Sequence, residues 1–160
     1  MSLKRILLVC TGNSCRSVMA EGLLRQALTL ACFESMQVES AGVFAMEGMP
    51  PTRETQRVLQ TVGVDCSDHR ARSLTAEMIE QADLILVMES FQAEEILRRI
   101  PSAKPKVHLL KNFGVASPPA GERLEIPDPI GKPLEVYEVC FEEIHEAIGR
   151  VAKSLGVANV

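Results

Sequence analysis

Between a short apolar run, Ile6–Val9, and a stretch of helical period stand the residues CTGNSCRS, Cys10 to Ser17. No other feature constrains the fold as much. An apolar run without polar alternation fits a strand covered on both faces, as in a parallel sheet. Behind the loop, Met19, Ala20, Leu23, Leu24, Ala27 and Leu28 share one helical face. Strand, Gly-containing loop and helix are the parts of a βα unit whose loop can close on an anion. The loop amides can turn inward, and the helix adds the positive end of its dipole. Arg16, six positions after Cys10, offers a planar fork for two oxygens. Cys10 stands in this positive field, which favours negative charge on its sulfur and suits it as a nucleophile. Gly12 is expected to allow the tight turn, and Asn13 tolerates a left-handed backbone better than most residues.

The remaining pattern extends that unit. Apolar runs at Leu84–Met88 and Val107–Leu110 predict two more strands, with Gln37–Ser40 a weaker fourth. Helical patterns run over Val18–Leu30, Pro51–Val62, Ser90–Ile100 and Leu134–Leu155. Strands alternating with helices predict an α/β fold: one three-layer domain over 1–160, its four-stranded parallel sheet flanked by helices. Such sheets bind ligands beyond the carboxyl ends of their strands, where the CTGNSCR loop falls. A chain of 160 residues, 46% of them apolar, is one domain with an ordinary core.

Composition removes several classes of function. A net charge of −4 argues against general nucleic-acid binding. No apolar segment is long enough to span a membrane, and the apolar part of MSLKRILLVC is too short for a signal peptide. Five Cys, an odd count, with no export signal point to a reducing cytoplasm. There is no CxxC and no His-x3-His, so neither a metal site nor a cofactor is expected.

Gly114 to Pro133 carries Pro118, Pro119, Gly121, Pro127, Pro129, Gly131 and Pro133 and has no period. A loop that long in a small domain is commonly functional. Asp128-Pro129 inside it is a turn signal in isolation. Beside an anion loop with a nucleophile it takes on another meaning. A phosphoryl leaving group needs a proton, and a carboxylic acid on a loop can supply it.

Taken together, these residues resemble the low-molecular-weight protein-tyrosine-phosphatase family. The resemblance rests on VCTGNSCRSVMAEGLL at Val9–Leu24, SAG at Ser40–Gly42, DHRAR at Asp68–Arg72, ADLILVME at Ala82–Glu89 and DPIG at Asp128–Gly131. It covers essentially the whole chain in the family's order. The family includes bacterial protein-arginine phosphatases and shares its fold with thioredoxin-coupled arsenate reductases.

The resemblance implies roles. Cys10 would attack phosphorus, Asp128 would be the general acid, and Arg16 would bind the phosphoryl oxygens with the loop residues Thr11, Gly12, Asn13, Ser14, Cys15 and Ser17. Ser17, suited to an N-cap, would also stabilise the Cys10 thiolate. Asn13 would hold the loop open through side-chain bonds to Ser40 and His69. Cys15, inside the same loop, reads either as a packed thiol or as a redox candidate that could capture an oxidised Cys10 as a disulfide. Cys32, Cys66 and Cys140 read as structural, and His108 and His145 carry no role. Phosphorylated proteins would be the partners, with phosphate, sulfate or vanadate as site ligands.

The chain also departs from the family. Val18 stands where Pro is common. Ile130 and Gly131 stand where many tyrosine-specific members have aromatic residues, and Ser14 where they often have an apolar one. Phosphoarginine therefore stays open beside phosphotyrosine. Arsenate reduction would need further Cys after ADLILVM, where this chain has Glu89 and no Cys before Cys140. An anion-binding module with a silent site is the non-enzymatic alternative, disfavoured because Cys10, Arg16 and Asp128 are all present.

Overall fold

In the computed structural model, which describes residues 3–33, 35–117 and 120–157, the first apolar run becomes the strand at the heart of the sheet. This strand, β1 (Arg5–Cys10), pairs in parallel with β2 (Gln37–Gly42) on one side and β3 (Leu84–Val87) on the other. β4 (Val107–Leu109) extends the sheet beyond β3, giving the order β2-β1-β3-β4. The period of two splits β1 between two cores. Ile6, Leu8 and Cys10 face a cluster with α1 (Arg16–Leu30) and α5 (Leu134–Ser154). Leu7 and Val9 face a smaller one with Ile79 and Ile96. Those two residues belong to α3 (Ala76–Gln81) and α4 (Ser90–Arg99). Helices thus cover both faces, which is why these strands lack polar alternation.

α2 (Arg53–Gln60) packs against α1 and α5. It starts two residues later than its apolar pattern predicts, because Thr52 caps it by accepting from the Thr55 amide, and it ends two residues earlier, at Gln60. A 3-10 turn, Pro101–Lys106, leads into β4. α3 has no counterpart in the sequence reading: it is six residues long with only Ile79 buried, too little for a helical period to show. β2 runs two residues further than expected, to Gly42, and α1 starts two residues earlier, at Arg16. Pro118 and Pro119 of the long loop lie outside the described residues. Among the described residues, no helix is long and apolar enough to cross a membrane.

α1 follows β1 onto one face of the sheet, and α4 follows β3 onto the other. The carboxyl ends of these adjacent strands therefore open a crevice between diverging connections. Cys10 ends β1, and Glu89 follows β3 there.

Candidate active site

The loop from Cys10 to Arg16 wraps a pocket of about 200 Å³ lined by Cys10, Thr11, Gly12, Ser14, Cys15, Arg16, Asp128 and Ile130. The three residues expected to do chemistry thus meet, although Asp128 is more than a hundred positions from the other two.

Cys10 is buried, and its sulfur has two donors. The Ser17 hydroxyl lies 3.0 Å away and the Asn13 amide 3.3 Å away. Ser17 Oγ accepts from Asn13 Nδ2 at 2.8 Å, which leaves its own hydrogen for the sulfur. Ser17 is thus not the N-cap expected of it. It lies inside α1, past the capping position held by Cys15. Asn13 and Ser17 do not line the pocket. They stand behind Cys10 rather than on the anion's side.

Asn13 is the hub of the loop. It is fully buried and has φ 56°, so it, and not Gly12, is the left-handed residue. Gly12 has a negative or extended φ, and a Cβ there would meet only Ser14 Oγ, at 3.7 Å. The second hydrogen of Asn13 Nδ2 goes to Ser40 Oγ at 2.9 Å, and Ser40 donates to Glu21. Asn13 Oδ1 accepts from the Arg72 amide. His69 supports the loop by a different contact from the one expected: its Nε2 donates to the backbone carbonyl of Asn13, 2.9 Å away.

Arg16 is 1% exposed. Its Nη1 donates to Glu89 Oε1 at 2.8 Å and to the Ile126 carbonyl at 2.7 Å. Its Nη2 lies 3.4 Å from both Thr11 Oγ1 and Asp128 Oδ2. Its Nε is buried with no hydrogen-bond partner among the described residues. A buried unpaired donor on a cation is costly unless something fills it, and on this side chain the natural filler is an oxyanion. Among the described residues, no group of three or more His, Cys, Asp or Glu side chains is arranged to hold a metal ion.

Asp128 is 37% exposed at the pocket mouth, its Oδ1 accepting from the Ile130 amide. Its loop is pinned to the β3–α4 junction. The Ile126 amide donates to the Met88 carbonyl, and the Ser90 amide to Glu125.

Sequence reasoning assigned no role to Glu89, Gln92 or Gly42. Glu89 is the ion-pair partner of Arg16. Gln92, fully buried at the start of α4, reaches Thr11. Gly42 ends β2 against the loop, where a Cβ would overlap the Thr11 carbonyl and come within 3.0 Å of the Asn13 nitrogen. The signal for Glu89 was its place at the carboxyl end of a buried strand, where ligand-handling residues gather.

The Cys15 sulfur packs 3.5 Å from the Tyr137 hydroxyl and 3.6 Å from Thr52 Oγ1. All five Cys are free thiols. Cys140 is buried, as its structural reading requires, and Cys66 is partly so. Cys32 is not: it is exposed in a turn after α1, with φ 60°.

A family model described as low molecular weight phosphotyrosine protein phosphatase matches residues 5–159. A protein-arginine-phosphatase of Geobacillus stearothermophilus is 39% identical over 151 residues, 94% of this chain and 95% of that relative. A probable low molecular weight protein-tyrosine-phosphatase, EpsP, of Ralstonia nicotianae is 38% identical over 146 residues, 91% of this chain and 92% of that one. The solved structure of the tyrosine phosphatase Wzb from Escherichia coli K30, in complex with sulphate, matches with a TM-score of 0.83 at 34% identity. That match covers 96% of this chain and 99% of the other. With its buried arginine, its cysteine loop and these likenesses over nearly its whole length, the chain belongs to the low molecular weight phosphotyrosine protein phosphatase family.

Proposed function

We propose that the protein is a cytoplasmic protein-tyrosine phosphatase that works through a cysteinyl-phosphate, with 1–160 as one catalytic unit. The observation that carries this reading is the convergence of Cys10, Arg16 and Asp128 on one small pocket. Cys10 Sγ attacks phosphorus, and an S–P bond forms as the P–O bond to the substrate breaks. Arg16 Nε and Nη2, with the loop amides, hold the equatorial oxygens as charge redistributes. Asp128 gives its proton to the leaving oxygen. It then takes one from the water that hydrolyses the S–P bond, returning free thiolate and inorganic phosphate. Ser17 and the Asn13 amide receive the negative sulfur at both ends of the cycle.

A second reading, a protein-arginine phosphatase with the same chemistry, is favoured by the pocket wall. Ser14 and Ile130 stand there, and among the described residues no aromatic side chain does. One experiment tests both. Phosphotyrosine and phosphoarginine peptides, each labelled in the phosphoryl group, are turned over side by side and quenched. Label should be recovered on Cys10, turnover should be unaffected by EDTA, and Cys10→Ser should abolish turnover of both substrates. The higher kcat/KM names the substrate class. Label on another residue, or activity surviving Cys10→Ser, would sink the mechanism.

A further inference from the structure

We propose that the Thr11 side-chain hydroxyl is a hydrogen-bond donor to the bound phosphoryl group, aimed into the pocket by Gln92. The argument begins with the orientation of the Gln92 amide. Its Oε1 lies 2.8 Å from the Met88 amide and 3.0 Å from the Glu89 amide, and both of those groups can only donate. That end is therefore the oxygen. The opposite end, 3.1 Å from Thr11 Oγ1, is the NH₂ group, which has no lone pair to offer. Gln92 is fully buried, so no water competes for it.

Thr11 Oγ1 thus accepts from Gln92. It also accepts from Arg16 Nη2, at 3.4 Å, and a guanidinium likewise has only hydrogens to give. A hydroxyl oxygen has two lone pairs and one hydrogen. With both lone pairs engaged, the hydrogen is left for a third partner, and Thr11 lines the anion pocket. Two donors behind the oxygen also increase the polarity of its O–H bond. The result is a side-chain donor beside the loop amides and the unpartnered Arg16 Nε, directed at the same oxygens. Thr11 touches the substrate, and Gln92 is a positioning residue that acts through it.

This deepens the phosphatase reading and rests on it. Turnover of an aryl phosphate by the wild type, and its loss in Cys10→Ser, test that reading separately. A hydrogen bond to a charged group is worth about tenfold to a hundredfold in an equilibrium or rate. Thr11→Val, nearly the same shape without the hydroxyl, should lower kcat/KM on the aryl phosphate by that factor. It should weaken inorganic phosphate as a competitive inhibitor in parallel, and Thr11→Ser should restore most of both. Gln92→Glu keeps the acceptor for the two amides but offers Thr11 a carboxylate oxygen, which draws the hydroxyl hydrogen away from the pocket. Its loss should be large with Thr11 present and much smaller in a Thr11→Val background.

Unchanged constants in Thr11→Val would overturn the proposal. So would an equal loss in Thr11→Ser, which would make the methyl group the cause. An identical effect of Gln92→Glu in both backgrounds would remove Gln92 from the account. If Gln92→Glu does not fold, the Thr11→Val and Thr11→Ser pair decides alone.

Discussion

A single side chain, Asn13, gathers demands that most residues meet one at a time. Its backbone is left-handed, its amide faces the Cys10 sulfur, and its side chain bonds Ser17, Ser40 and the Arg72 amide. Glycine would satisfy the backbone but lose every side-chain bond. Aspartate would keep the conformation but replace the NH₂ donor with a negative oxygen close to the Cys10 sulfur. Asp128 has a simpler task, which makes its substitution informative. Asp128→Asn retains the shape, and its side chain can no longer give up a carboxylic proton. General acids contribute typically ~10²–10⁴-fold, and an activated aryl phosphate needs little of that help. The variant should therefore lose far more rate on alkyl or unactivated aryl phosphates than on p-nitrophenyl phosphate. A leaving-group series with parallel losses would take the acid role away from Asp128.

At the scale of elements, the loop is held between the ends of two strands. β2 delivers Gly42 so closely that a Cβ would overlap the Thr11 carbonyl and crowd Ala45 and Asn13. The obstacles are mostly backbone, which cannot swing aside as a flexible side chain can. Gly42→Ala should accordingly destabilise the fold by about 1–3 kcal/mol and depress phosphate affinity with it. A thermal melt and a phosphate titration check both effects, and a wild-type Tm would show that β2 can retreat. The β-strands and long helices were readable because burial on two faces, or on one helical stripe, leaves a period in the sequence. The Cys10 loop was readable because its chemistry is local: nucleophile, turn and arginine lie within seven residues. Gln92 and Gly42 were not, since their work depends on which strand ends become neighbours, and pairing leaves no local signature; Glu89 was marked only by its place at the end of a buried strand. Asp128 was legible as a carboxylic acid in a long loop beside a nucleophile's anion site, a reading the resemblance sharpened, and its contact with Arg16 is made by anchoring Ile126 and Glu125 to the β3–α4 junction. The bond of His69 to a carbonyl rather than a side chain is likewise a fact of backbone path.

For the molecule as a whole, three wholly or partly buried groups, Cys66, Tyr137 and Cys140, point one way. Burial pushes the Cys140 thiol from an ordinary 9.0 up to about 12. Cys66 rises to about 11, mainly from burial with Asp65 adding to it. Tyr137 is raised as well, first by burial and then by its bond to Cys15. In each case the folded state keeps a proton that the unfolded chain releases sooner, so stability is full below about pH 9 and declines from there toward pH 12. Tm, measured under reducing conditions, should hold to about pH 8.5 and then fall, with a shallower fall in Cys140→Val. A Tm flat through pH 10.5 would contradict this. Arg16 ties the same whole together, bonding Glu89, 73 residues on, and the Ile126 carbonyl, 110 residues on. During synthesis the chain is built from its N-terminal end, and domains fold as units. Cys10 therefore leaves the ribosome well before Asp128 is made. Until β3 joins β1, between Ile6 and Leu84, the guanidinium lacks its Glu89 partner and keeps only Thr11 of its own loop. A growing chain carries the Cys10 thiol with neither Glu89 nor Asp128 near its loop, and the pocket is complete only when the last of these segments docks.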